Sequence, residues 1–301
     1  MEALIAELEK AGVGELLRNE PLSKHTTWKI GGPADLLILP RGKEGLVAAV
    51  RLLHRHGVEW TALGRGSNML VGDRGIRGVV IKPASGLDYV RFDGGTVIAG
   101  ASYSFIKLSV MAGKQGLTGL EFAGGIPGTA GGAVYMNAGA HGSDVSRIFK
   151  YADIVLETGE LVRYGREDMR FAYRHSILHE MKGLVAEAAF ELEEGDKAEI
   201  TANMASYKER RLRTQPLQMA CAGSVFRNPP GDFAARLIQE AGLKGYSIGE
   251  AQVSELHANF IVNTGTATAR DVLALMSHIQ STVEQRFGVK LVPEVLAVGE
   301  R

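Results

Sequence analysis

The sequence predicts an α+β fold, on three observations. Apolar stripes at helical spacing and short apolar runs at strand length alternate irregularly rather than in a strict βαβ rhythm. Two adjacent runs, Asp153–Leu156 and Leu161–Tyr164, join through Thr158-Gly159 as a hairpin does. The glycine-containing segment Gly64-Arg65-Gly66-Ser67-Asn68 follows a strand but opens no long helix, so it does not begin a doubly wound unit.

Each element has its own signal. Leu4, Ile5 and Leu8 give the start of the chain the stripe of a short amphipathic helix. Leu46, Val47, Val50 and Leu53 do the same for 43–56. Helical spacing recurs over 102–115, 199–213 and 232–241. The strongest case is 268–287, where Thr268 stands three residues before Asp271 as in a capping box and Val272, Leu275, Met276, Ile279 and Val283 form the stripe. Strands are expected at 35–39, 60–63, 79–81, 89–92, 97–99, 260–262 and 291–298. The charged, glycine-containing break Glu193-Glu194-Gly195-Asp196-Lys197 is the best boundary between domains.

Composition narrows the function classes. The 301 residues suffice for two or three domains. Lys plus Arg number 34 and Asp plus Glu number 34, which argues against a general binder of nucleic acid or anionic membrane. Cys221 is the one cysteine, so no intramolecular disulfide or four-thiolate metal site can form. HExxH is absent and the histidines lack metal-ligand spacing, so no metal is expected. The start lacks the basic-then-apolar order of a secretory signal, and no apolar run approaches membrane-spanning length, so the expected location is the cytoplasm.

Glycine departs from background, with 38 in the chain and eight between Gly119 and Gly142. The Gly64–Asn68 segment lacks the third glycine of a dinucleotide fingerprint, Met69 standing there, and no GxxxxGK[ST] occurs. The physics of a phosphate cradle survives, because consecutive N–H groups in glycine turns form a concave nest for anionic oxygens. Ser67 and Asn68 add polar side chains. The second segment, Gly124 to Gly142, joins seven glycines to the rigid corner at Pro127. Either segment alone is equally a tight turn at a sheet edge. Two of them favour an extended ligand containing a pyrophosphate.

GRGSN followed by GGIPGTAGGAVYMNAGAHG resembles the flavin-binding half of the UDP-N-acetylenolpyruvoylglucosamine reductase (MurB) family. YRHS at 173–176, AGSVFRNP at 222–229, HANFIVN at 257–263 and PEV at 293–295 extend the match in the family's order over most of the chain. The resemblance implies a two-subdomain FAD-binding region of the vanillyl-alcohol-oxidase type, at 1–83 and 84–195, and a substrate-binding α+β domain at 196–287, with a strand in 288–301 returning to the first subdomain. It also implies NADPH as hydride donor and UDP-N-acetylglucosamine enolpyruvate as substrate, with no nucleic acid, membrane or obligate protein partner. The short stretch between Leu192 and Ser224 points to the subtype without an extra tyrosine-bearing loop.

The residues carried over are few. Arg174, Ser224 and Glu294 are the implied catalytic set: a carboxylate holder, a proton donor and a group that polarises the carboxylate. FAD is expected on Gly64, Arg65, Gly66, Ser67, Asn68, Gly124, Gly125, Ile126, Pro127, Gly128, Gly131, Gly132, Asn137, Ala138 and Gly139. For substrate, Tyr173, Arg211 and Asn228 are expected. Arg211 lies in a basic run that is equally a solvated helix face, and Tyr173 is equally a packing residue. Cys221 is assigned to packing. An FAD-dependent sugar or alcohol oxidase, and a catalytically silent nucleotide binder on the same scaffold, are the alternatives.

Overall fold

The computed structural model describes residues 1–300 and divides into two units. The first holds Met1–Arg18, Leu36–Arg65 and Gly78–Glu209; the second holds Asn19–Asp35, Gly66–Arg77 and Arg210–Arg301. Helices and strands mix as an α+β fold requires.

The first unit has two cores. A four-stranded sheet, in the order Gly14–Pro21, Pro33–Pro40, Ile76–Ile81, Trp60–Ala62, is mainly in this unit, and its last two strands pair in parallel. Helices Glu2–Lys10 and Gly42–Arg55 belong with it: Leu4, Ile5 and Leu8 from one, and Leu46, Val50 and Leu53 from the other, join the core made with Leu36, Ile38, Val79 and Ile81. The expected stripes are thus the buried faces.

The second core lies on a five-stranded sheet, in the order Leu161–Gly165, Phe149–Leu156, Gly183–Glu191, Thr96–Gly100, Val90–Asp93. The expected hairpin is antiparallel, with Ile154 opposite Val162. The central strand, Gly183–Glu191, was not expected from the sequence. Its residues Leu184 to Phe190 are all buried, so it lacks the alternation that marks a half-exposed strand.

That sheet carries a network of charges. Asp153 and Glu187 are directly opposite each other on neighbouring strands and are both buried. Lys43 Nζ lies 2.7 Å from Asp153 and 3.7 Å from Glu187, Arg163 Nε donates to Asp153 at 2.8 Å, and Arg91 donates to Glu187 at 2.8 Å. Burial alone would raise the pKa of Asp153, but the hydrogen bonds and charges of Arg163 and Lys43 outweigh it and hold the carboxyl below its ordinary value of 3.8. A depressed folded pKa gives stability that is fully present above the unfolded value and is lost as pH falls through the folded one. Asp153→Asn should therefore flatten the acid limb of a urea-midpoint profile below about pH 4. An unchanged acid limb would show that this pair does not govern it.

The second unit is built round the helix Ala269–Phe287. Thr268 and Asp271 form the expected capping box, with bonds of 3.1 and 2.9 Å, and Gly288 ends the helix at φ 69°. Asp73 also accepts from the N–H groups of Ala269 and Arg270, placing a carboxylate at the positive end of the helix. Val272, Leu275, Met276, Ile279 and Val283 pack with Trp28, Phe226 and Leu237. A four-stranded sheet, Ala220–Cys221, Ile261–Asn263, Ala251–Val253, Ser247–Ile248, completes the unit.

One expectation needs correction. The strand expected over 291–298 is regular only at Leu296–Val298, which pairs in parallel with Met69–Val71. Pro293 cannot donate to a ladder and makes only an isolated bridge with Phe226. Among the described residues no helix is long and apolar enough to cross a membrane.

Candidate active site

The strand Trp60–Ala62 delivers the first glycine segment, anchored where Leu63 N–H donates to the Ile81 carbonyl at 2.9 Å. The N–H groups of Gly64, Arg65 and Gly66 have no acceptor among the described residues. Gly66 has φ 68°, and a Cβ there would lie 2.7 Å from both the His25 carbonyl oxygen and Thr26 Cα, so only glycine fits. The second segment turns at Pro127, passes Gly128 at φ 135°, and enters the helix Ala130–Tyr135. Gly128 and Thr129 also offer N–H groups without an acceptor among the described residues. A Cβ built on Gly64 would lie 3.4 Å from Thr129 Oγ1, so the two segments adjoin within the first unit.

Cations accompany these amides. Burial and the charge of Arg65 hold the Lys82 ammonium below the ordinary lysine range. Bare N–H groups with two cations close by suit a diphosphate, which would offset both the desolvation and the mutual repulsion. Lys82 was missed by sequence reasoning. Its only signal is a lysine placed directly after the buried run Val79-Val80-Ile81.

Other residues of the second segment are engaged inside the protein. A Cβ on Gly131 would meet that of Ala101 at 3.0 Å, and one on Gly139 would meet Ser143 O and Asp144 Cβ at 2.6 Å. Ile126 N–H donates to Ala123, and Ala138 N–H donates to Ala133. A Cβ on Gly124 or Gly132 would find only a side-chain neighbour at ordinary contact distance. Asn137 is 2% exposed at φ 43°; its Oδ1 accepts from Ser146 N–H and its Nδ2 donates to the Ala172 carbonyl, both at 2.9 Å.

That last bond leads to Arg174. Residues Ala172 to His175 form a two-residue turn closed by reciprocal 3.1 Å backbone bonds. Arg174 occupies its third position at φ 55°, where glycine is the ordinary occupant. The turn is pinned at three points: Asn137 to Ala172, Ser176 Oγ to the Tyr135 carbonyl at 2.6 Å, and the Arg174 guanidinium to the Gly139 carbonyl at 2.8 Å. The guanidinium also lies 5.0 Å from the centre of the Tyr173 ring, which is half exposed. Strain held at a charged residue by surrounding bonds is a mark of functional sites.

In the second unit Ser224 follows Gly223, which turns the chain at φ 74°. The residue after it, Val225, accepts at its carbonyl from Glu294 N–H at 2.8 Å. Asn68 Nδ2 donates to the Glu294 carbonyl at 3.2 Å, and Leu296 N–H donates to the Asn68 carbonyl at 3.0 Å. Ser224, Glu294 and the end of the first glycine segment are therefore gathered on neighbouring backbone.

Arg211 stands near Cys221, three residues before Ser224. Burial lowers the Arg211 pKa, and its Nε has no acceptor among the described residues. Burial likewise pushes the Cys221 thiol up, which suits a packing role. Asn228 Oδ1 accepts from Ala234 N–H at 3.1 Å at the start of the helix Ala234–Glu240, leaving its amide –NH2 as the donor end.

The chain is similar to known proteins over its whole length. Residues 34–165 match the model of an FAD binding domain, and residues 215–298 match that of the UDP-N-acetylenolpyruvoylglucosamine reductase C-terminal domain. The chain is 50% identical to the UDP-N-acetylenolpyruvoylglucosamine reductase of Bacillus licheniformis over 302 residues, covering 100% of both chains. It is 48% identical to that of Bacillus subtilis, covering 99% of both. The crystal structure of UDP-N-acetylenolpyruvylglucosamine reductase (MurB) from Thermus caldophilus superimposes with a TM-score of 0.81 at 35% identity, over 94% of this chain and 98% of that one. Berberine bridge enzyme from Eschscholzia californica, at 16% identity and TM-score 0.50, covers 64% of this chain and 44% of its own, and is similar in fold alone.

Proposed function

Because the chain belongs to the UDP-N-acetylenolpyruvoylglucosamine reductase family along its whole length, we infer that it is an FAD-containing oxidoreductase that reduces UDP-N-acetylenolpyruvoylglucosamine in peptidoglycan synthesis. NADPH is the hydride donor. A UDP-sugar and NADPH are both cytoplasmic metabolites, and the enzyme acts there. The functional division is an FAD region at 1–83 and 84–195 and a substrate domain at 196–287.

The residues fit the flavin nucleotide. The bare amides of Gly64–Gly66 and of Gly128–Thr129 would hold its diphosphate, with Arg65 and Lys82 supplying positive charge. Once bound and reduced by NADPH, FAD would supply the hydride for the methylene carbon of the enolpyruvyl group.

The chain's own side chains do the rest. Negative charge develops on the adjacent carbon and spreads into the carboxylate. Arg174, always charged and able to fork onto two oxygens, holds that carboxylate and stabilises the added charge. Glu294 shares a proton with the same group. Ser224 gives its hydroxyl proton to the carbon, completing the lactyl ether. A serine is a weak acid, but an enediolate is basic enough to take its proton. Arg211, Asn228 and Tyr173 bind the UDP-sugar. The unpartnered Arg211 Nε fits an anionic ligand, since a buried donor without an acceptor is costly.

The observation that supports the serine and glutamate assignments is the 2.8 Å bond from Glu294 N–H to the carbonyl of Val225, the residue that follows Ser224. The visible spectrum tests the whole reading. Purified full-length protein should show bound flavin, lose the colour with NADPH under anaerobic conditions, and regain it with UDP-N-acetylenolpyruvoylglucosamine. A preparation that refuses FAD overturns the reading. So does reduced flavin that oxygen restores and the enolpyruvyl substrate does not, the behaviour of a sugar or alcohol oxidase.

A further inference from the structure

Asn259 is enclosed, at 4% exposure, and both ends of its side-chain amide bind one residue. Phe226 N–H donates to Asn259 Oδ1 at 3.0 Å, and Asn259 Nδ2 donates to the Phe226 carbonyl at 2.8 Å. The main-chain carbonyl of Asn259 also accepts from Val225 N–H at 2.9 Å. Three bonds thus run from a single asparagine to the two residues that follow Ser224.

The remaining polar groups of this segment are taken by the stretch that carries Glu294. Glu294 N–H donates to the Val225 carbonyl at 2.8 Å, and Arg227 N–H donates to the Val292 carbonyl at 2.9 Å. A primary amide presents one acceptor and two donors in a plane, so it can imitate a peptide group facing a strand. Asn259 stands where a neighbouring strand would otherwise pair with Phe226.

We propose that Asn259 is a positioning residue for the proton transfer, fixing the direction in which Ser224 presents its hydroxyl. The proposal rests on Ser224 as proton donor. The peptide between Ser224 and Val225 sets the backbone torsion of the serine and so the direction of its Cα–Cβ bond. That peptide is held through the Val225 N–H by the Asn259 main-chain carbonyl, the next through the Phe226 N–H by Asn259 Oδ1, and the one after it through the Phe226 carbonyl by Asn259 Nδ2. Delivery of a proton to carbon tolerates little displacement: about 1 Å of misplacement costs about 10²-fold in rate. Hydride transfer from NADPH does not use the serine, so it does not depend on this clamp.

The test uses FAD-loaded full-length enzyme and two variants. Asn259→Ala removes both side-chain bonds. Asn259→Asp keeps the shape and the acceptor for Phe226 N–H but removes the donor to its carbonyl. Flavin bleaching by NADPH and its reoxidation by UDP-N-acetylenolpyruvoylglucosamine are followed separately, with Ser224→Ala in parallel and hydrogen exchange read at the Val225 and Phe226 amides.

In both variants bleaching should stay within about twofold of wild type, while reoxidation slows by about tenfold or more with little change in KM. Exchange should quicken at Phe226 in Asn259→Ala, which loses the acceptor of that N–H. Reoxidation at the wild-type rate, or equal loss in both half-reactions, overturns the proposal. Should Asn259→Ala fail to retain FAD, Asn259→Asp decides by the same criteria. A Ser224→Ala enzyme that reoxidises normally removes the proton-donor assignment itself. A slow Ser224→Ala enzyme beside normal Asn259 variants removes only the role given to Asn259.

Discussion

Ser224→Ala should leave flavin reduction by NADPH near the wild-type rate and slow reoxidation by the enolpyruvyl substrate by about 10²–10⁴ or more. The asymmetry follows from where the proton is needed. Hydride addition to the methylene carbon leaves charge on its neighbour, and without a proton that charge drives the hydride back. Reoxidation of the flavin therefore reports proton capture as well as hydride transfer. NADPH asks for no such proton from the serine. The substitution is structurally mild, because the bonds that shape this loop belong to the backbone of Val225, Phe226 and Arg227. Thermal stability should change by no more than about 0.5 kcal/mol. Anaerobic stopped-flow absorbance in the two half-reactions measures the effect. Equal slowing of both would remove Ser224 from the proton-donor role.

Much of the fold was legible from periodicity. The stripes at 43–56 and 268–287, and the Thr268–Asp271 box, became helices with those faces buried, because in each a single apolar face meets a core. The strand Gly183–Glu191 was not legible, since burial on both faces erases alternation and its alanines suit a helix equally well. In 291–298, β-branched residues suggested more strand than Pro293 permits.

The candidate site shows a similar division. Glycine clustering marked where amides are bare, but not which glycines serve packing instead. Gly131 and Gly139 press against protein atoms, whereas Gly64 faces only Thr129 Oγ1. Lys82 left no local pattern, because its surroundings form only on folding; Asn259 stands in the HANFIVN run, but nothing in that run says what its side chain binds. The same holds for the backbone of Arg174: nothing in Tyr173-Arg174-His175-Ser176 announces a turn, and no glycine occupies the position that bends backward.

That missing glycine sets the second large effect. Replacing Arg174 by alanine, glycine or lysine should reverse the usual order of stability while separating strain from charge. Alanine and glycine both remove the guanidinium and its bond to Gly139, so both should lower turnover of the enolpyruvyl substrate by about 10²–10³, the loss of about 3–4 kcal/mol of transition-state stabilisation. Lysine should be damaged less than either, because it restores a positive charge without the fork. Stability should follow another rule. Alanine keeps a side chain at φ 55°, at a cost of about 1–2 kcal/mol, whereas glycine adopts that angle freely. Arg174→Gly should therefore be more stable than Arg174→Ala by about 1 kcal/mol, read from urea midpoints at equal slope, despite the greater chain entropy that glycine loses on folding. Equal stabilities would mean that the turn relaxes in solution, and strain would no longer explain why three separate bonds pin it. Wild-type turnover in Arg174→Ala would remove the carboxylate-holding role, leaving the turn a structural feature with an arginine by chance at its tip.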